Sequence, residues 1–177
     1  VLSDVYVLNC IAAWSVVTAL QAMSTIDFQI KWPNDILAEQ KKIGGILIEN
    51  SIKSSTEILS IIGIGINVNQ TQFDDLPQAS SLALLEKKSF DKESLLLRIA
   101  QELEQNLEKL PQVGAGYFWT RYHEKLFKRG IVSAFEDVQG NRFVGKIISV
   151  TQEGKLQVSL ENEQHAFFDV KEIKMLY

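Results

Sequence analysis

The chain has 177 residues, enough for one domain of ordinary size or a domain with a small appendage. Hydrophobic residues make up 46% and charged residues 23%, which excludes a disordered chain. The 18 basic and 22 acidic side chains give a net charge of −4, which argues against nucleic acid as the main partner, and the lone Cys10 rules out an internal disulfide or a multi-cysteine zinc site and suits a reducing cytoplasm.

No charged residue falls between Asp4 and Asp27. Asn9, Ser15, Thr18 and Gln21 interrupt that stretch, and no Lys or Arg precedes Lys31. It therefore reads as a buried helix rather than a membrane span or a signal peptide. Val5, Leu8, Ala12, Val16, Ala19, Leu20 and Met23 recur at helical spacing. They predict a helix over 5–24, with Asp4 or Ser3 as its N-cap and other structure covering its outward face. The first residue is Val1 rather than Met, which raises the expectation of a fragment or a processed product.

Residues 28–32 alternate like a strand, and Pro33-Asn34-Asp35 is turn chemistry. Strands follow at 36–39 and 42–50 around the polar connection Glu39-Gln40-Lys41. Residues 57–68 are so apolar that they predict a central strand buried on both faces. A loop covers 70–79, and Ser80 or Ser81 caps a short helix to Leu85. A longer helix starts at Asp91, carries Leu95, Ile99, Leu103 and Leu107 on one stripe, and ends at Pro111. Another spans 117–127 and closes at Gly130. Four short strands, 131–136, 142–150, 155–161 and 165–170, predict a small antiparallel barrel. The domain boundary is placed so that 1–129 form the core and 130–177 the appendage.

Three segments carry chemistry. Lys31-Trp32-Pro33-Asn34-Asp35 gathers a cation, an indole, an amide and a carboxylate at one turn, and the plain alternative is a hairpin with a half-buried Trp. In Lys42-Ile43-Gly44-Gly45-Ile46-Leu47-Ile48-Glu49 the glycines sit inside a strand, beside a Lys suited to an anion. That pattern also fits a bulged edge strand with a solvated Lys. Gly63, Gly65 and Asn67 share one face by the strand period of two. Small residues there leave room for a ligand, or for a helix packed close.

In this order and spacing, KWPND, KxGGILIE and GIGINVN resemble the catalytic domain of biotin protein ligases. Ser80-Ser81-Leu82 resembles the family's Ala-Thr-Ser-Leu stretch, and the β-rich tail its C-terminal SH3-like domain. The resemblance implies an α+β fold: a mixed sheet packed with helices in a class II synthetase-like core, plus an SH3-like β-barrel. It implies an enzyme that uses ATP and Mg2+ to turn biotin into biotinyl-5′-AMP. The biotinyl group is then transferred to a lysine of a biotin carboxyl carrier domain. No bound prosthetic group, nucleic-acid partner or membrane is implied for this chain. A cytoplasmic location is implied, and a homodimer is compatible with the family.

By motif, Lys42 matches the lysine at the biotin carboxylate and the adenylate phosphate. Gly44 and Gly45 let backbone approach biotin, and Gly63 and Gly65 floor the same pocket. Asn34, Asp35 and Asn67 line the nucleotide side, with Asn67 or Asp35 as candidate Mg2+ contacts. Lys31 adds positive potential or supports the turn, and Trp32 reads as packing. Lys174 stands near where some relatives place a basic residue close to the nucleotide.

One departure is plain: the family's Gly-Arg-Gly-Arg phosphate loop does not occur in this sequence. The expectation is a C-terminal part of a ligase, weak or inactive in biotin adenylation by itself. The alternatives are a lipoate–protein ligase-like enzyme and a non-catalytic module that binds biotinyl-AMP. His123, His165 and Cys10 read as packing or surface residues, and Lys87-Lys88 as a solvated helix end.

Overall fold

The computed structural model describes residues 5–53 and 58–177. The proposed caps Ser3 and Asp4, and Glu57 at the start of the fourth strand, lie outside these residues. Helix α1 (Val5–Gln21) is apolar on nearly every side, and residues 10–20 are buried apart from Trp14 and Thr18. Such a helix needs cover all round. A four-stranded sheet covers one side of it, and α3 (Lys92–Val113) and α4 (Ala115–Glu124) cover the rest.

That sheet is β1 (Phe28–Lys31), β2 (Asp35–Ala38), β3 (Lys41–Ile52) and β4 (Ile58–Ile66), in chain order and antiparallel throughout. The expected mixed sheet is therefore not what forms: the parallel contacts found are isolated bridges, such as Ile30 with Leu126. Few residues separate consecutive strands, and short links permit only antiparallel pairing. Glu39 and Gln40 alone join β2 to β3, with φ of 49° and 65°, the backbone of a type I′ hairpin turn. Ile43 is the extra residue of a bulge between Ile36–Gly44 and Leu37–Lys42.

Strand β4 corrects a second expectation. Among the described residues it is an edge strand, not a central one. Ile62, Ile64 and Ile66 turn toward the helices, whereas Leu59, Ile61, Gly63 and Gly65 are exposed on the other face. An unbroken apolar run hides which face is covered.

Ser81 caps α2 (Leu82–Glu86), its hydroxyl accepting from the Leu84 amide at 3.2 Å. Asp91 caps α3 as expected, but the helix runs past Pro111 and stops at Gly114, whose N–H reaches the Leu110 carbonyl. A proline in the last turn removes one bond that the helix end can spare. Helix α4 ends at Glu124, before the expected Gly130, because the chain then pairs with β1: Ile30 N donates to Lys125 O and Phe127 N to Ile30 O, both at 2.8 Å.

The tail forms β5 (Val132–Asp137), β6 (Arg142–Val150), β7 (Leu156–Leu160), β8 (His165–Phe168) and β9 (Ile173–Leu176). Their order is β8-β7-β6-β5-β9, all antiparallel. The expected barrel does not close: β8 and β9 are the two ends of an open, curled sheet. Phe143 stacks between Phe135 and Phe168 at 5.5 and 5.8 Å, which curls the sheet over its core without joining its edges. Strand β9 escaped the pattern because it is short and follows the turn at Lys171, where φ is 74°.

Three contacts brace this second sheet on the first part of the chain. Trp32 Nε1 donates to Gly154 O at 2.8 Å. His123 Nε2 accepts from the Val150 amide at 2.9 Å, and Arg129 Nε donates to Ile148 O at 3.0 Å. Among the described residues, no helix is long and apolar enough to cross a membrane.

Candidate functional site

The β1–β2 hairpin sets the first part of the site. Its connection, Trp32 to Asn34, contains a cis Trp32–Pro33 peptide and leads straight into Asp35. Asn34 extends the sheet: its side chain donates to Ile46 O at 2.7 Å, and its carbonyl accepts from Ile46 N at 2.9 Å. Asp35, half-buried, receives Lys42 Nζ at 2.6 Å on Oδ1 and Lys31 Nζ at 3.6 Å on Oδ2. Trp32 is buried by its bond to Gly154, so it packs as expected.

The four candidate glycines divide by face. A Cβ on Gly44 would lie 2.6 Å from both Gly65 O and Ile66 Cδ1, so this residue is glycine because the strands are close. Its expected role beside a ligand has no support in this geometry, since it points into the core. Gly45 faces the other way, toward Asp35 Oδ1 and Lys42 Cε. A Cβ on Gly65 would meet nothing within 4 Å, and one on Gly63 only Leu47, at 3.7 Å. Among the described residues no helix lies against Gly63 and Gly65, which removes close helix packing as their explanation. Gly45, Leu47, Gly63 and Gly65 thus form an open strip on the outer face of β3 and β4, with Leu47 exposed at its centre. Sequence reasoning passed over Leu47, although its parity with Gly45 was a usable signal.

Lys42 stands at the end of that strip, beside a cavity of about 480 Å3. Asn67, Phe73, Leu76, Gln78 and Tyr177 contribute to its lining. Backbone bonds fix Lys42 there: its N–H donates to Gln78 O at 2.7 Å, and its carbonyl accepts from Ser80 N at 2.9 Å. Asn67 Nδ2 donates to Ser80 O at 3.1 Å, and Ser81 Oγ donates to Gln70 O at 2.6 Å, so both ends of the 70–79 loop are pinned. Lys42 and Asn67 therefore share one cavity, with Asp35 and Gly45 adjoining. Asn34 lines a different cleft, of about 290 Å3, with Tyr6, Asn9 and Glu153.

Tyr177 was missed altogether. Its ring packs edge-on to Phe127, and its carbonyl accepts from Gln78 Nε2 at 3.0 Å. Burial, and then the negative charge of Asp35, raise its phenol above the ordinary tyrosine range. Lys174 lies across β5–β9 from Glu136 and is not among the residues that line the cavity. Cys10 is buried in α1, and burial pushes its thiol up to about 12, which suits an inert residue. His123 is a buried linker, and burial lowers its imidazole below the usual value. His165 is exposed and bonded to Gln157. Lys88 pairs with Glu86 at 2.7 Å beside the α2 terminus.

The sequence profile of the biotin/lipoate A/B protein ligase family matches residues 2–67, a stretch that takes in α1, Asp35, Lys42 and all four glycines. Residues 2–67 thus carry the profile of this family. The bifunctional ligase/repressor BirA of Bacillus spizizenii is 41% identical over 97 residues, covering 52% of this chain and 30% of that protein. The biotin–[acetyl-CoA-carboxylase] ligase of Mycobacterium tuberculosis is 32% identical over 105 residues, covering 57% and 38%. The matched part of the chain thus spans well under half the length of these ligases. A crystal structure of the biotin protein ligase of Aquifex aeolicus superposes with a TM-score of 0.78 at 25% identity. It covers 98% of this chain and 75% of that one, so the α+β likeness to biotin protein ligases includes the second sheet. The Aquifex ligase has also been solved with biotin and ATP, and that structure superposes equally well.

Proposed function

We propose that this chain carries the adenylation and transfer site of a biotin–protein ligase. The observation that supports this best is the position of the Lys42 ammonium: between an open glycine strip and a cavity that also holds Asn67. A flat, fused ring of low polarity suits Gly45, Leu47, Gly63 and Gly65. A carboxylate at the end of its chain then meets Lys42, and the nucleotide falls on the Asn67 and Tyr177 side.

In the first step a biotin carboxylate oxygen attacks the α-phosphorus of ATP. A P–O bond forms, the α–β bridge breaks, and pyrophosphate leaves. Lys42 lowers the repulsion between two anions that must come within bonding distance. In the second step an acceptor lysine amine attacks the mixed anhydride. The amide forms, AMP leaves and the amine loses a proton, while Lys42 stabilises the departing phosphate. Among the described residues, no three His, Cys, Asp or Glu side chains converge as a metal cage. That suits Mg2+ arriving on the ATP phosphates, which needs only one or two protein oxygens; those of Asn67 and Asp35 are nearest to hand. The acceptor is a biotin carboxyl carrier domain, the setting cytoplasmic, and residues 130–177 a smaller second domain.

The test is biotin-dependent ATP–pyrophosphate exchange in the intact protein. Lys42→Ala removes exchange by at least about a hundredfold. Excess lipoate leaves biotin transfer unchanged. Lipoate turnover in place of biotin, or full activity of the Lys42 variant, would refute the assignment.

A further inference from the structure

Lys31 stands opposite Asp35 at the base of the β1–β2 hairpin. Its ammonium is 3.6 Å from Asp35 Oδ2, while that of Lys42 is 2.6 Å from Oδ1. One carboxylate therefore faces two cations through its two oxygens, one in contact and one held back. The two lysines differ in freedom: the Lys42 side chain is 47% exposed and that of Lys31 21%. The Lys31 ammonium also lies 5.2 Å from the centroid of the Tyr177 ring, whose negative face restrains it.

Asp35 is only 16% exposed, and a carboxylate so covered is costly to leave unpaired. Yet Lys42 has to turn from Asp35 to serve an anionic ligand. We propose that Lys31 is a positioning residue, the reserve cation that holds Asp35 when Lys42 leaves it for the ligand. This rests on the ligand role of Lys42 proposed above. Attraction rises as distance falls, so a shift of about 1 Å brings Lys31 into the contact that Lys42 gives up. The hairpin keeps the backbone of Lys31 in place during the exchange, and Tyr177 limits the travel of its ammonium. The carboxylate stays paired in both states, and releasing Lys42 carries little electrostatic penalty.

Two measurements on the intact protein test this. Without ligand, thermal unfolding compares wild type, Lys31→Met, Lys42→Met and the double variant. Interchangeable cations predict a Tm loss below about 1 °C for each single variant and above about 4 °C for the pair. Strictly additive losses overturn the proposal. The second measurement is titration with biotinol-5′-AMP, a stable phosphate-bearing analogue. Lys31→Met weakens binding about tenfold with Asp35 present, and less than threefold on an Asp35→Asn background. Equal weakening on both backgrounds overturns the proposal, because Lys31 then acts on the ligand by its own charge. Failure of the wild type to bind the analogue refutes the ligand role of Lys42 instead, and the unfolding measurement then decides alone whether Lys31 is the reserve partner of Asp35.

Discussion

Gly44 and Gly65 lie within one turn of ladder on adjacent strands, yet alanine has opposite effects at the two. Neither has a left-handed φ, so sterics alone decide. At Gly44 the new methyl lies 2.6 Å from a backbone oxygen of β4 and 2.6 Å from Ile66 Cδ1. A side-chain tip moves readily, but a ladder carbonyl does so only if β3 and β4 part. Overpacking of this kind costs about 1–3 kcal/mol. The better strand preference of alanine returns about 0.5–1 kcal/mol. The net loss centres on about 1 kcal/mol and reaches about 2.5 kcal/mol, and at about 2–4 °C per kcal/mol for a chain of this size the Tm falls by about 2–10 °C. At Gly65 the methyl meets open space. Only the loss of unfolded-chain freedom remains, a gain of about 0.4–1 kcal/mol and a Tm rise of about 1–4 °C. Thermal melts of the 177-residue chain followed by far-ultraviolet circular dichroism read both. Binding of biotinol-5′-AMP supplies the functional half: Gly65→Ala gains stability yet loses affinity by more than about tenfold, because the methyl stands on the strip proposed above to receive the ligand ring. A Gly44→Ala chain as stable as wild type, or a Gly65→Ala chain that melts more than 2 °C early, would show that the two faces of the sheet are assigned wrongly.

Other outcomes follow from the brace between the two sheets. His123 Nδ1–H donates to Trp119 O at 2.7 Å and Nε2 accepts from Val150 N, so the buried ring is neutral. Its folded-state pKa is lowered while the unfolded ring titrates near 6.5, so below that pH the unfolded chain binds more protons and stability falls. Denaturant midpoints measured from pH 7 to pH 5 decline in the wild type, and the decline is smaller in His123→Leu. That variant also loses about 1–3 kcal/mol at pH 7, from the stranded Val150 amide. Trp32→Phe keeps the ring packing but deprives Gly154 O of its donor, costing about 1–2 kcal/mol by urea unfolding.

The local signals in the sequence were strong where chemistry is local. The spacing in α1, the caps at Ser81 and Asp91, and the turns at Gly140 and Gly154 all form as their residues dictate. What escaped depends on partners far along the chain. Nothing near 58–66 says that, among the described residues, β4 pairs on one side only, and nothing near 173–176 says that β9 will find β5. The same holds at the site. Lys42 and Asp35 were both visible as candidates, but their 2.6 Å contact is a product of pairing across a bulge. Tyr177 reaches the cavity only because β9 delivers it there. The division of Gly44 from Gly65 needed the register, since parity within one strand does not say how two strands align.

The bond from Trp32 to Gly154 joins residues 122 positions apart. At roughly 5–20 residues per second, a ribosome takes roughly 6–25 s to travel between them. Throughout that interval the hairpin that presents Asp35 is made but not yet braced. The site is therefore among the last features of the nascent chain to be completed, and a chain interrupted before Gly154 holds Lys42 and the glycine strip on a hairpin without its support.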